Sequence, residues 1–225
     1  MTTTLRHPGW TVQLSVHRAV RRDIARLSTA LATGQGVSSA AVSAYWAETA
    51  FQLHHHHEFE DAVIWPLMRE RLGSRVVSLL DRNAEEHRVL AAAIDGFHAV
   101  VDTRGAYSGA ARDALGRLGE ALETHLGHEE ADVLPLIPEA FTFEDLAFFK
   151  TESAKTNPAS AFLPWMLDDA PEDDVAFYLS ALPAPVRGQL ESDWMPQRRV
   201  AVDALQEAHV AAAAPSLEGG AGSRA

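Results

Sequence analysis

Two stretches of this chain, HHEFEDAVIWP and HLGHEEADVLP, obey one pattern: a histidine, a glutamate four residues on, and a proline six residues after the glutamate. The first is His56, Glu60 and Pro66, and the second, 69 residues later, is His125, Glu129 and Pro135. The single histidines repeat as well. His17 in VHRAV and His87 in EHRVL stand 70 residues apart, each preceding its H-x-x-x-E by 39 or 38 residues. Self-similarity at a fixed interval means one supersecondary unit built twice. Each unit here is a helix pair, with one histidine from its first helix and a histidine plus a glutamate from its second.

Helical periodicity frames the repeat. Residues 10–33 place Trp10, Leu14, His17, Ile24 and Leu31 at helical spacing and stop at the Gly/Ser turn ATGQGVSS. A second helix is predicted from about Ala40 to Leu72, ended by Gly73, with Pro66 expected to kink it or end it early. A third spans about Arg75–Val101 and closes at DTRGAYSG, and a fourth spans about Ala110–Leu134 and stops at PLIP. No stretch alternates as a strand would. The expected fold class is therefore all-α, an antiparallel four-helix bundle over residues 10–138 with additional short C-terminal helices. Residues 139–208 form that extension, cut by Pro158, Pro164, Pro171, Pro183, Pro185 and Pro196, with one short helix starting at Pro171 and carrying acids in its first turn. Residues 209–225, low in complexity, are expected to be a disordered tail.

The four consecutive histidines of QLHHHHEFEDAVIWPLM are sorted by facing. Residues step 100° around a helix, so His56 and Glu60 share a face with Leu53, Val63 and Leu67, while His54 and His55 point away from it. His57 and Asp61 lie at the edge of that stripe, as supporting partners. The candidate ligands are thus His17, His56, Glu60, His87, His125 and Glu129, four histidines and two glutamates on the inward faces of four helices. Buried without partners they would be costly, and a metal centre satisfies them; a buried hydrogen-bonded network is the alternative. Imidazole with carboxylate suits iron, manganese or zinc, and two glutamates inside a bundle favour a pair of metals. With zero cysteines in the chain, no thiolate can contribute.

Other polar residues take lesser roles. Arg21, on the His17 face, either neutralises a glutamate or snorkels outward. Asp132, one turn past Glu129, is either a support for the ligands or a solvated helix-end carboxylate. His98 is eleven residues from His87 and too far along the axis to join the centre. His7 and His209 fall near the termini, where solvation is expected. A formal net charge of −12 disfavours nucleic acid as a partner. No stretch has the length or apolarity of a signal peptide or a membrane span, so a cytoplasmic protein with no membrane partner is expected.

These motifs resemble the hemerythrin-like (HHE cation-binding) family, across both halves of the bundle. The resemblance implies a non-haem di-iron centre: two iron ions, oxo- or hydroxo-bridged, held by His17, His56, Glu60, His87, His125 and Glu129. Each iron would take two histidines and one oxygen from each glutamate, leaving a position for dioxygen, peroxide or nitric oxide. Two departures matter. The oxygen carriers of the family have another histidine one turn after the third-helix ligand, where this chain has Ala91, and place the last carboxylate where it has Glu130. The five-histidine asymmetry of an oxygen carrier is therefore not expected. The resemblance implies a sensor, scavenger or small redox protein. The alternatives are a di-iron oxidase or oxygenase acting on a small organic substrate, and iron storage or structural metal binding. The C-terminal segment resembles an extension in some bacterial hemerythrin-like proteins. Its Phe162, Trp165, Phe177 and Trp194 either pack on the bundle, close over the metals, or present a surface to a substrate or protein partner.

Overall fold

The computed structural model describes residues 8–33 and 38–213. Helix α1 (Pro8–Thr33) and helix α2 (Ser39–Phe59) form the first pair. α2 continues through a π-turn (Glu60–Ile64) into α3 (Trp65–Leu72), and a 3-10 turn (Gly73–Arg75) leads to α4 (Val77–Arg104). α5 (Gly109–His128) repeats the device, with a π-turn (Glu129–Val133), a 3-10 turn (Leu134–Leu136) and α6 (Ile137–Ala140). Among the described residues there is no strand, and the chain is an antiparallel helical bundle with additional C-terminal helices.

Matching local signals start the matching helices. The side chain of Ser38 accepts a hydrogen bond from the Ala41 amide and caps α2, and Ser108 does the same for α5 through Ala111. α3 and α4 end at Gly73 (φ 58°) and Gly105 (φ 79°), a backbone region open to glycine at no steric cost.

The prolines explain the π-turns. Pro66 has no amide hydrogen and its ring collides with the carbonyl four residues back. The turn before it widens: the Trp65 amide bonds the Glu60 carbonyl, five residues behind, and the helix resumes with proline in its first turn. The Leu134 amide bonds Glu129 in the same way ahead of Pro135, and the Met195 amide bonds Leu190 ahead of Pro196. Pro66 thus widens the helix without ending it. The extra residue turns everything after it by about 100°. Ile64 and Met68 are buried, whereas Val63 and Leu67, expected on the inward stripe, are only partly covered.

The core is in two parts. A large cluster holds Val20, Leu53, Leu90 and Leu122, and a smaller one holds Ile64, Met68, Leu80 and Val133. On three of the four bundle segments a ligand candidate stands between a member of each: His56 between Leu53 and Ile64, His87 between Leu80 and Leu90, His125 between Leu122 and Val133.

The C-terminal helices are α7 (Phe143–Ser153), α8 (Ala159–Leu167), α9 (Glu172–Ala181), α10 (Ala184–Gln189) and, after a π-turn (Leu190–Trp194), α11 (Met195–Ala213). α8 packs on α1, and α11 packs on α1 and α2. α9 begins after Pro171 with Glu172, Asp173 and Asp174 in its first turn. The anchor is Asp23, fully buried, which accepts hydrogen bonds from Tyr45 Oη (2.6 Å), Trp165 Nε1 (2.8 Å), Arg22 Nε (2.9 Å) and Arg198 Nη2 (3.2 Å). Trp165 is buried, and Phe162 and Trp194 lie partly buried against the large cluster. Phe177 is 40% exposed; its neighbour Tyr178 turns inward and donates to Ser15. α11 extends the helical chain to Ala213. Residues 214–225 of the expected tail, His7 and the side chain of His209 lie outside the described residues. Among the described residues no helix is long and apolar enough to cross a membrane.

Candidate metal centre

His17 comes from α1, His56 from α2, His87 from α4 and His125 from α5, and Glu60 and Glu129 open the two π-turns. All six are buried. Glu60 Oε1 lies 3.4 Å from His56 Nε2, and its Oε2 lies 3.6 Å from His87 Nε2. Glu129 Oε2 lies 3.4 Å from His125 Nε2 and 3.6 Å from His17 Nε2. Each glutamate therefore sits between a histidine of its own helix and one contributed by the other half of the repeat.

A seventh residue joins them. His57 is buried, stacks on His87 (ring centroids 4.3 Å apart, planes 21°) and meets His125 edge-on at 5.0 Å. Ligand-capable atoms of His57, His87 and His125 lie within 4.8 Å of one another, as do those of His17, His56 and Glu129. Assigning His57 to the edge of the stripe assumed one inward face. α2 instead borders α1 on one side and α4 on the other, so consecutive residues both reach the centre, His56 beside His17 and His57 beside His87. The repeat carried the signal: the position matching His57 is Leu126, an apolar residue, fully buried. Five buried histidines thus gather in two groups, His57 with His87 and His125, and His17 with His56.

Electrostatics prepare these groups as donors. Burial, reinforced by the neighbouring imidazoles, pushes the pKa values of His56 and His57 well below the ordinary histidine value and that of His125 down to about 2, so all three rings are neutral. Burial pushes Glu60 well up, with the Glu129 carboxylate adding to it, and burial raises Glu129 also. The Nε2 atoms of His17, His56, His57, His87 and His125 have no hydrogen-bond partner, and Glu60 Oε2 and both Glu129 oxygens have none beyond the bond that the two carboxyl groups share. Each buried polar atom left this way costs about 1–3 kcal/mol. Neutral nitrogens and carboxylate oxygens converging without partners have the donor chemistry that a cation satisfies, and the residues present fit a metal site.

Acids stand at the outward nitrogens of three of the rings. Glu130 accepts from His17 Nδ1 (2.9 Å) and from Arg21 Nη1 (2.6 Å); burial alone would raise its pKa, but these two donors bring it down to about 2. Asp61 Oδ2 lies 3.0 Å from His87 Nδ1, and Glu86 reaches both His125 Nδ1 (3.3 Å) and His128 Nδ1 (2.6 Å). Such contacts fix ring orientation and raise ligand basicity. Glu86 and His128 were not legible in the repeat. Glu130 stands outside the centre and Glu129 inside it. Arg21 ties Glu130 to Glu123. Asp132 is turned outward by the π-turn and pairs with Arg82. His54 is half-buried, His55 binds Thr156, and His98 is exposed. Within the ring, Gln13, one turn before His17 and 7% exposed, donates its amide to Glu60 Oε1.

The family model of the hemerythrin HHE cation binding domain matches residues 11–137, more than half of the chain. No curated protein and no solved structure matches.

Proposed function

Because the chain belongs to the hemerythrin HHE cation-binding family, we propose that it is a non-haem di-iron protein that binds or reacts with dioxygen, peroxide or nitric oxide, as a sensor, scavenger or small redox protein. His17 and His56 would hold one iron, His57, His87 and His125 the other, with Glu60 and Glu129 between them. The observation that carries this reading is the convergence of five unpartnered, buried Nε2 atoms around two carboxylates, each carboxylate facing both histidine groups. When bound, two irons supply reversible one-electron chemistry and a coordination position for a small ligand.

The chain's own residues do the rest. Burial keeps His56, His57 and His125 unprotonated, so their lone pairs are free at neutral pH. Glu130 and Glu86 hold the His17 and His125 rings by their outward nitrogens, and the Asp61 carboxylate lies beside that of His87. The two apolar clusters close the bundle above and below, excluding water and admitting small neutral molecules more readily than ions. The His17/His56 side has one imidazole fewer and is the natural place for an added ligand. The absence of cysteine suits a reducing compartment such as the cytoplasm.

A second reading, oxidation of a small organic substrate, draws on the place where the extension meets α2. Asn157 donates to Gln52 Oε1 (2.7 Å) one turn from His56, and Gln52 Nε2 and Asn157 Oδ1 are buried without partners. Anaerobic reduction followed by oxygen addition, watched spectroscopically, tests the first reading: oxo-to-iron charge-transfer bands in the near ultraviolet are expected to appear. A centre that holds iron and stays unchanged in oxygen would point to storage or structure. Oxygen uptake coupled to product from an added substrate would favour the second reading.

A further inference from the structure

The two carboxylates of the centre are matched by the repeat but not by their surroundings. Gln13 stands four residues before His17, and Asn83 stands four residues before His87; both are buried, at 7% and 3% exposure. The Gln13 amide donates to Glu60 Oε1. On the other side the side chain is one methylene shorter, Asn83 Oδ1 has no partner, and no side-chain amide donates to Glu129, which shares a hydrogen bond with Glu60. Glu60 Oε1 is the oxygen beside His56, 3.4 Å from its Nε2, while Oε2 faces His87. Among the described residues, the amide donor aimed at the ligand carboxylates therefore engages the oxygen on the His17/His56 side, which already has one imidazole fewer.

A hydrogen bond to a carboxylate oxygen occupies a lone pair and lowers what that oxygen gives to a metal. Building on the di-iron reading above, we propose that Gln13 is a positioning residue that acts through Glu60: by holding Oε1 it keeps the metal position between His17 and His56 poor in donors, and so makes that position the one where an anionic or diatomic ligand adds. No amide of this kind faces Glu129.

Gln13→Met keeps the length and apolar bulk of the side chain and removes the donor. Iron-loaded, oxidised wild type and variant are titrated with azide, reading the azide-to-iron charge-transfer band, with iron per chain and Tm measured alongside. The expected result is iron content near wild type in a folded protein, with azide affinity lowered about tenfold, the scale of other changes around metal ligands. Azide affinity within twofold of wild type in the iron-loaded variant would overturn the proposal. Should Gln13→Met fail to fold or load, Gln13→Asn carries the test with the same two outcomes, since it keeps an amide at that position, shortened as Asn83 is. A wild-type protein that takes up no iron would instead overturn the di-iron reading itself.

Discussion

The first half of the bundle, α1 to α3, and the second, α4 to α6, are built from the same parts. Each has a serine cap, a lone histidine, an H-x-x-x-E helix, a π-turn opened by the glutamate and a proline that makes it. They differ at positions at or near the centre: His57 against Leu126, Gln13 against Asn83, and, one turn from the paired histidine, Gln52 against Ala121. The halves also differ outside. α1 and α2 are covered by α8 and α11, whereas Val89 of α4 is 51% exposed. Duplication thus supplies a symmetric frame, and a few substitutions within it supply an asymmetric site, with His57 and Gln52 placing polar side chains where the second half has apolar ones.

The largest effect is expected where the halves should be equivalent. Glu60→Ala and Glu129→Ala each remove a carboxylate lying between histidines of both halves, leaving two cations less compensated. Both variants should hold less than one iron per chain. A variant that keeps two would show that its glutamate is not shared.

His57→Leu converts the first half to the pattern of the second. The centre should still assemble, with iron affinity lower by about 10–100-fold and an altered charge-transfer spectrum. Affinity equal to wild type would make His57 a packing residue, despite its contacts with His87 and His125. His57 marks the limit of what facing alone reveals. A single-stripe helical wheel places His56 and Glu60 correctly, but α2 borders the centre along a wider arc. After Glu60 the wheel slips by one residue because Pro66 removes an amide, exchanging Val63 for Ile64. The proline six residues after each glutamate was visible; its consequence required backbone hydrogen-bond accounting. The same slip sends Asp132 to Arg82 and away from His125.

The extension offers an intermediate effect confined to the first half. Arg198 and Asp23 are 175 residues apart in sequence, and nothing in either segment announces the other. Prolines revealed only that the extension would be short helices, not where it would dock. Arg198→Ala leaves the buried Asp23 carboxylate without one of its two cationic partners and should destabilise the protein by about 3 kcal/mol in urea unfolding, the lower end for breaking a buried pair because Arg22 remains. Iron content in the folded variant should stay near wild type. Loss of iron with full stability would tie the extension directly to the centre.

The smallest effect is expected from His54→Ala, beside His56 in the chain but about 160° around the helix from it. Iron content should match wild type and stability change by less than about 0.5 kcal/mol. Losses equal to those of His56→Ala would mean that the histidine run binds metal as a surface cluster.

The shared centre itself is tested most directly by titrating metal-free protein with ferrous iron under anaerobic conditions, in buffers of different ionisation enthalpy. Burial holds Glu60 and Glu129 above the usual carboxylate range, so metal displaces protons from them and affinity rises with pH, while His56, His57 and His125, already neutral, release none. The account predicts a break at two iron equivalents per chain, with protons released to the buffer. A break at one equivalent, or no binding, would contradict a centre built jointly by the two halves.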